Sequence, residues 1–376
     1  MKKDSIKKIG AIALALVLST SAVFVTSCTD DDSDGNETDG NVISDIEQAN
    51  DSEGESTEKT EETEETEETE QTIDIDSITF TDEERSQGYA FRDSFLIIIN
   101  DNAMVEYNYQ GAPWYENKEN IKKVIVMKGV TNISQNAFSG CEYIKTIAIP
   151  DSVTNIDDGA FADSIGLISI TVDANNEHYS NDEYGVLFNK DKTTILQYSV
   201  ADKRTSYTIP DSVICMREYA FENSDNLTSI TIPNGITEIS RGAFSNCSAL
   251  TKVTIPNSVT SIDNFAFEKC KNMAEITIPN SVTDMGEYTF GGCSALKEVN
   301  IPDSVTTIGK YAFQNCTGIT KVTIPASVTR INRKAFVECS SLEIINFGGS
   351  EAQWNEIKKD EEWDERAGAY TVNFGA

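Results

Sequence analysis

Hydrophobic residues recur with a period of 23 over most of the second half of the chain. The clearest markers are prolines with similar neighbours, namely Pro233, Pro256, Pro279, Pro302 and Pro325, with Pro150 and Pro210 in the same setting. Each unit follows the pattern C-x-x-L-x-x-I-x-I-P-x-S-V-T-x-I-x-x-x-A-F-x-x. A repeat of roughly 20 to 29 residues with regularly spaced aliphatic positions predicts a solenoid, in which each unit forms one coil.

The spacing within one unit predicts a strand, a turn and a second inward-facing segment. Val253 and Ile255 flank the polar Thr254, which is the alternation of a strand with one buried face. Pro256 lacks the N–H that would extend a ladder, so we expect the strand to end there. Two further aliphatic positions then direct a second short segment back toward the core.

The Ala266-Phe267 pair closes the unit, and we expect it to fill the space between neighbouring coils. No single coil can bury its own core. The chain must therefore stack about eight coils, each roughly 4.8 Å from the next. The predicted fold is a β-rich solenoid with one continuous core and a parallel sheet along one side.

This repeat closely resembles that of the BspA-like leucine-rich-repeat family of bacterial cell-surface proteins. The resemblance covers most of the chain after residue 84, and it is specific because the motif recurs in register many times. It implies a right-handed leucine-rich-repeat coil stack, with the repeats over residues 137–345.

Two flanking segments are similar to the capping units of that family. Residues 85–136 carry Trp114 ahead of an aliphatic run and resemble the N-terminal cap. Residues 346–376 carry Trp354 and Trp363 and resemble the C-terminal cap. Caps are physically required, because the open ends of a stack would expose apolar surface and unpaired strand edges.

The repeat is interrupted over about residues 173–206. Apolar residues 185–188 and 195–198 flank a polar turn of sequence Asn-Lys-Asp-Lys, which predicts a β-hairpin. The family has such insertions, so a structural variant of the repeat is one interpretation. The alternative is a protruding specificity loop that contacts the ligand.

The first 28 residues indicate export. A basic start and an apolar run over residues 9–25 lead into Val-Thr-Ser and then Cys28. This ending resembles the bacterial lipobox, which implies a lipoprotein signal peptide over residues 1–27 and an acylated Cys28 that holds the protein to a membrane. An ordinary secretory peptide is the alternative. A retained transmembrane helix is disfavoured because the run is interrupted and short.

Residues 28–84 are dominated by Asp, Glu, Thr and Ser. Apolar residues are too sparse there to offset chain entropy, and like charges repel, so we expect a disordered, extended stalk. The formal net charge of the chain is −32, and most of it lies in this segment. Without a basic cluster, the chain is a poor partner for nucleic acid or an anionic membrane surface.

Six cysteines share one position in the repeat, three residues after the Phe, namely Cys141, Cys247, Cys270, Cys293, Cys316 and Cys339. Ser164 and Ser224 hold that position in other units. Side chains in one column point the same way, so the sulfurs do not face each other as a disulfide requires. We therefore expect reduced, buried thiols that bond weakly to the turn backbone, with disulfides as the alternative. Cys215 lies outside the column, and we expect it to fill the core.

The sequence offers little for catalysis, metal binding or a cofactor. His178 is the only histidine, and no nucleophile, phosphate-binding or zinc-protease motif is present. Evenly spread thiols without histidine do not converge on a metal ion. A hydrolase that uses His178 and acids of the insertion is the least favoured alternative. We predict a non-enzymatic protein without a metal or cofactor.

The candidate ligand-contact face consists of the outward positions of the first strand in successive repeats. Its residues are Ser229, Thr231, Lys252, Thr254, Glu275, Thr277, Glu298, Asn300, Lys321 and Thr323. They form a regular polar column beside a column of varying charge. The family resemblance implies adhesion to host matrix or other surface macromolecules, so an extracellular protein or glycan is the expected ligand. The alternative is an envelope scaffold that binds bacterial surface components.

Overall fold

The computed structural model describes residues 77–105, 107–108 and 111–375. They form a β-solenoid of about 11 turns with repeats of about 23 residues. The predicted signal peptide, Cys28 and the acidic residues up to 76 lie outside the described residues. Within the described part of the chain, no helix is both long and apolar enough to span a bilayer.

The first strand of each coil contributes to a parallel ladder along one side of the stack. Consecutive strands pair in register at the repeat interval, as Ile230 pairs with Val253. The strands are β2 (Phe95–Ile98), β3 (Lys123–Val126), β5 (Thr146–Ile149), β7 (Ser169–Val172), β11 (Ser206–Thr208), β13 (Ser229–Thr231), β15 (Lys252–Thr254), β18 (Glu298–Asn300), β20 (Lys321–Ile324), β22 (Ile344–Phe347) and β24 (Thr371–Phe374). They form three sheets, and the antiparallel β1 (Tyr89–Arg92) adds an edge to the first.

The second inward segment of each coil forms a shorter ladder on another side. Its strands are mostly two residues long, with the second residue aliphatic in most of them. They are β4 (Asn132–Ile133), β6 (Asn155–Ile156), β12 (Cys215–Met216), β14 (Glu238–Ile239), β16 (Ser261–Ile262), β17 (Asp284–Met285), β19 (Thr307–Ile308), β21 (Arg330–Ile331) and β23 (Lys358–Lys359). Cys215 was expected in the core, but it is only half-buried, because it alternates with the buried Met216 along β12.

Stacked aromatic rings run through the core, as the Ala-Phe pair predicts. Ala266 and Phe267 are fully buried. One column contains Tyr198, Phe221, Phe244, Phe267, Phe290, Phe313 and Phe336, with neighbouring ring centroids 5.1 to 5.5 Å apart. A shorter column contains Trp114, Phe138 and Phe161, with centroids 5.9 Å apart. Each ring therefore packs between the rings of the coils on either side.

The ends of the stack are coils as well, which is why the number of turns exceeds the eight expected from the repeats. Near the N-terminus β2 pairs in parallel with β3, and at the C-terminus β24 pairs in parallel with β22. Short helices close these ends, α1 (Asp82–Gln87) and α2 (Glu351–Glu356), with 3-10 turns at Asp101–Ala103 and Tyr115–Asn120.

Helix α1 begins inside the segment that the sequence assigns to the disordered stalk. Thr81 and Glu84 form a capping box, which satisfies the free N–H groups at the start of the helix. Glu84 also pairs with Arg92 at 2.7 Å, and these hydrogen bonds lower the pKa of Glu84 to about 2. Residues 82–84 are therefore helical.

The insertion contains the predicted hairpin and one additional strand. Strand β9 (Leu187–Asn189) pairs antiparallel with β10 (Thr194–Gln197) and with β8 (Tyr179–Asn181). Strand β10 also pairs in parallel with β12, so the insertion is part of the second ladder. Leu187 and Phe188, which are adjacent on β9, belong to two different hydrophobic clusters. The buried hydrophobic residues therefore form two main clusters and not the single continuous core that the repeat predicts.

Candidate functional site

The candidate ligand-contact face is exposed and ordered along the first ladder. None of its ten residues is buried. Ser229 lies beside Lys252, and Thr231 lies beside Thr254, because β13 and β15 pair in register. The same register places Glu298 beside Lys321 and Asn300 beside Thr323. On these strands the alternation directs the eight paired side chains outward in two parallel columns.

The ladder is interrupted between β15 and β18. Glu275 and Thr277 were expected on a strand, but residues 273–279 form none, and Ile276 is only partly buried. In other coils a threonine hydroxyl reinforces the link to the preceding coil at this point, as Thr251 Oγ1 donates to the Thr228 carbonyl at 3.0 Å. Ala274 occupies that position here and has no hydroxyl. None of the residues of the face is buried, but the hydrogen-bonded ladder that carries them is interrupted at Glu275 and Thr277.

Charges on the face are partly paired with each other. Lys321 Nζ lies 2.6 Å from Glu298 Oε2, and both side chains are partly exposed. Such surface pairs contribute about 1 kcal/mol or less to stability. In the part of the chain that the structure describes, Lys252 and Glu275 have no ion pair. These two side chains remain available to a charged ligand.

The cysteine column is buried and free. Each thiol from Cys247 to Cys339 donates to the carbonyl of the Phe one coil back, at 3.0 to 3.2 Å. Ser164 makes the same bond to the Phe138 carbonyl at 2.8 Å, which explains why serine can replace cysteine. Burial raises the pKa of Cys293 to about 12, so the thiolate is suppressed. The column is structural.

A pair of serines tests the role of this column. Ser164→Ala is expected to lower the free energy of unfolding by about 1 kcal/mol, because a buried hydrogen bond is lost. Ser224→Ala is expected to change it little, since the buried Ser224 hydroxyl has no normal hydrogen bond and faces only the weakly accepting thiol of Cys247. Equilibrium urea unfolding of both variants measures the difference. Equal losses would contradict the assignment.

The insertion lies against the stack at a cluster of tyrosines. The Arg204 guanidinium lies 3.8 Å from the ring centroid of Tyr184 and within 5.7 Å of those of Tyr198 and Tyr207. Asp202 pairs with Arg204 at 2.7 Å. These contacts and the buried apolar residues integrate the insertion into the core. It does not have the form of a protruding loop, although its exposed turn remains accessible.

His178 is exposed, and its backbone N–H donates to Asn176 Oδ1 at 2.8 Å. Among the described residues, no group of three or more His, Cys, Asp or Glu side chains could hold a metal ion. No arrangement of a nucleophile with His178 emerges from these contacts. The absence of an enzymatic activity stays a prediction.

Sequence reasoning missed the surface of the second ladder. Phe265, Tyr288 and Tyr311 stack outside the core with centroids 5.1 and 4.4 Å apart. All three have positive φ, between 54° and 59°. The residue before Ala-Phe varies from unit to unit, so the repeat pattern assigns no structural role to it. Aromatic residues recur at this position in these three consecutive coils and again at Tyr219, and this recurrence was the signal that could have revealed the row.

These features define the class of protein. A parallel stack of 23-residue coils with an aliphatic strand, a Phe column and a small polar column is a leucine-rich-repeat solenoid. Residues 111–194, 193–320 and 262–359 match the BspA type leucine rich repeat region, in 6 copies. The matches span more than half of the chain, which therefore belongs to the BspA-type leucine-rich-repeat family.

One solved structure supports the fold, and two others are more distantly similar. The pneumococcal vaccine antigen PcpA is 18% identical, with a TM-score of 0.55, over 67% of this chain and 68% of that one. A leucine rich cell surface protein from Faecalibacterium prausnitzii is 27% identical, with a TM-score of 0.47, over 64% of this chain and 63% of that one. A Bacteroides ovatus leucine-rich repeat protein is 20% identical, with a TM-score of 0.43, over 76% of each chain. A comparison with curated proteins finds no match.

Proposed function

We propose that this chain is a bacterial cell-surface repeat protein that binds an extracellular protein or glycan through the outward face of its first ladder. The observation that carries the proposal is the register of that ladder, which aligns eight of the ten polar side chains in two columns that are not buried. Repeat proteins use such extended faces for binding. The solenoid is also a typical non-enzymatic scaffold.

Attachment to the cell is the second part of the proposal. The lipobox-like ending at Cys28 supports a lipid anchor, and the acidic segment between Cys28 and helix α1 supports a stalk that holds the solenoid away from the membrane. The folded part would then consist of an N-terminal cap over residues 85–136, repeats over 137–345 and a C-terminal cap over 346–376. In this proposal the binding face lies outside the cell envelope.

Host surface or matrix macromolecules are the proposed ligands, in line with the family. An envelope scaffold that binds bacterial components is the second candidate. The balanced charges of the face, with Lys252 and Lys321 against Glu275 and Glu298, favour a ligand that is recognised by local charge pattern rather than by net charge. Neither nucleic acid nor an anionic lipid surface fits that pattern.

A binding screen with matched charge reversals tests the proposal. The purified protein is titrated against arrayed matrix proteins, mucins and bacterial glycans at physiological salt. Saturable binding to a host component that Lys252→Glu weakens about tenfold would support the adhesive function, because loss of a close charge pair has about that effect. Lys271→Glu makes the same charge change on an exposed turn residue that is not part of the face and should be silent.

The outcomes separate the candidates. Adding Lys321→Glu to Lys252→Glu should weaken binding further, although it also breaks the pair with Glu298. Binding only to bacterial glycan or envelope protein would favour the scaffold. Equal effects of Lys252→Glu and Lys271→Glu would show that the ligand does not contact this face.

A further inference from the structure

The second ladder carries a trough that lies outside the candidate ligand-contact face. It crosses the coils of β14, β16, β17, β19 and β21 and has a volume of about 380 Å³. Gly286 and Gly309 lie along it, and a Cβ atom at either would come within 2.4 Å of backbone atoms of the preceding coil. The close approach of the coils therefore excludes side chains at these two positions and leaves the trough open.

Four carboxylates line the trough, those of Glu238, Asp263, Asp284 and Glu287. Register places Glu238, Ser261 and Asp284 in one column on successive coils. Lys310 is the single basic residue that lines the trough in the described part of the chain, and it pairs with Glu287 at 3.0 Å. The trough therefore has an excess of negative charge.

Three other carboxylates on this side of the stack each form an ion pair with an arginine from another part of the chain. Arg330 pairs with Asp360 at 2.8 Å, and Arg333 pairs with Glu362 at 3.0 Å. Arg217 pairs with Asp158 across the insertion. Glu238, Asp263 and Asp284 have no such ion pair among the described residues. These three carboxylates of the trough therefore lack the paired arginines that other carboxylates beside the second ladder have.

Another basic side chain, that of Arg241, lies near Asp263 but is engaged elsewhere. Arg241 Nε donates to the Tyr219 hydroxyl at 2.8 Å, and its guanidinium lies 5.1 Å from the Phe265 ring centroid. It interacts with Asp263 only as a more distant charge. Burial and the charge of Asp263 raise the pKa of Glu238, as expected for carboxylates that lack a counter-ion.

We propose that this trough binds an extended segment of a partner protein that carries Lys or Arg side chains. Five coils spaced roughly 4.8 Å apart span about 19 Å, which matches about six residues of extended chain. The same three carboxylates would receive the cationic side chains, and the Ser261 hydroxyl could bond the peptide backbone between them. The site is distinct from the first-ladder face, so it does not depend on the function proposed above.

The test compares two variants of the full chain with the same change in charge. The trough variant combines Glu238→Gln, Asp263→Asn and Asp284→Asn. Its control combines Glu356→Gln, Asp211→Asn and Asp303→Asn, which are exposed carboxylates outside the trough and the first-ladder face and without a described ion pair. A fluorescent hexapeptide of alternating Lys and Ser is titrated by anisotropy at physiological salt, with a Glu-Ser peptide and spermine as further probes. Thermal melts confirm that both variants fold.

We expect the trough variant to bind the Lys-Ser peptide about tenfold or more weakly than the control variant, since three partly exposed charge pairs are lost. Non-specific attraction to the acidic N-terminal segment is the same in both variants and cancels in the comparison. Equal affinities of the two variants would overturn the site. Spermine binding more tightly than the peptide, with the same dependence on the trough, would overturn the peptide as its ligand.

Discussion

Replacing Phe267 with alanine is expected to lower the free energy of unfolding by about 3–5 kcal/mol, the usual loss for a buried Phe. The ring is fully buried and stacks on Phe244 and Phe290, with centroids 5.3 and 5.5 Å away. Removing it leaves a cavity that two neighbouring coils share. Neither coil can close that cavity alone, because each ring holds the spacing of the next.

Thr254→Ala is the matched control in an adjoining part of the same coil. Thr254 is exposed on β15, so its removal should change the free energy of unfolding by less than about 0.5 kcal/mol. Urea unfolding followed by circular dichroism measures both variants. Similar midpoints for Phe267→Ala and Thr254→Ala would mean that the assignment of inward and outward positions is wrong.

The inward positions could be predicted because burial in a solenoid is set by spacing alone. Val253 on the strand, Ile255 directly after it and Phe267 at the end of the unit are buried as their positions in the repeat require. The cysteine column could be predicted for a related reason. Side chains in register point the same way, so Cys247 and Cys270 each bond the backbone one coil back and not each other.

Departures from the ladder could not be predicted, because they depend on how one coil lies on the next. The strand is absent around Ile276, although this unit keeps the aliphatic alternation of the repeat and differs from the preceding unit mainly at positions that the pattern treats as variable, such as Ala274. The third strand of the insertion, β8, consists of Tyr179–Asn181 and lacks a distinct alternation of its own. Its position is determined by pairing with β9.

The trough was missed for the same reason. Asp263 and Gly286 occupy equivalent positions in successive units, and a sequence pattern records them only as a variable position. Whether a glycine leaves open space or a close contact depends on the distance between coils. At Gly286 the backbone of Asn264 approaches closely, and the trough lies beside it.

Trp114→Ala is expected to have an effect of similar size at the end of the stack, about 3–5 kcal/mol. Trp114 is fully buried, stacks on Phe138 with centroids 5.9 Å apart, and its Nε1–H donates to the Ala137 carbonyl at 2.7 Å. Tyr89 and Tyr107 contact its edges. The indole therefore closes the N-terminal aromatic column and joins the hairpin of β1 and β2 to the first repeats.

The location of the destabilised coils distinguishes Trp114→Ala from Phe267→Ala. In a solenoid each coil contacts only its neighbours, so an end that has lost its cap opens locally while distant coils stay folded. Hydrogen exchange should accelerate in β2, β3 and β4 after Trp114→Ala, whereas β18 and β20 should keep their protection. Trp114→Phe keeps a stacking ring but loses the bond to Ala137, so it should cost about 1–3 kcal/mol. Exchange that accelerates equally along the whole stack would show that Trp114 supports the fold as a whole and not its N-terminal end.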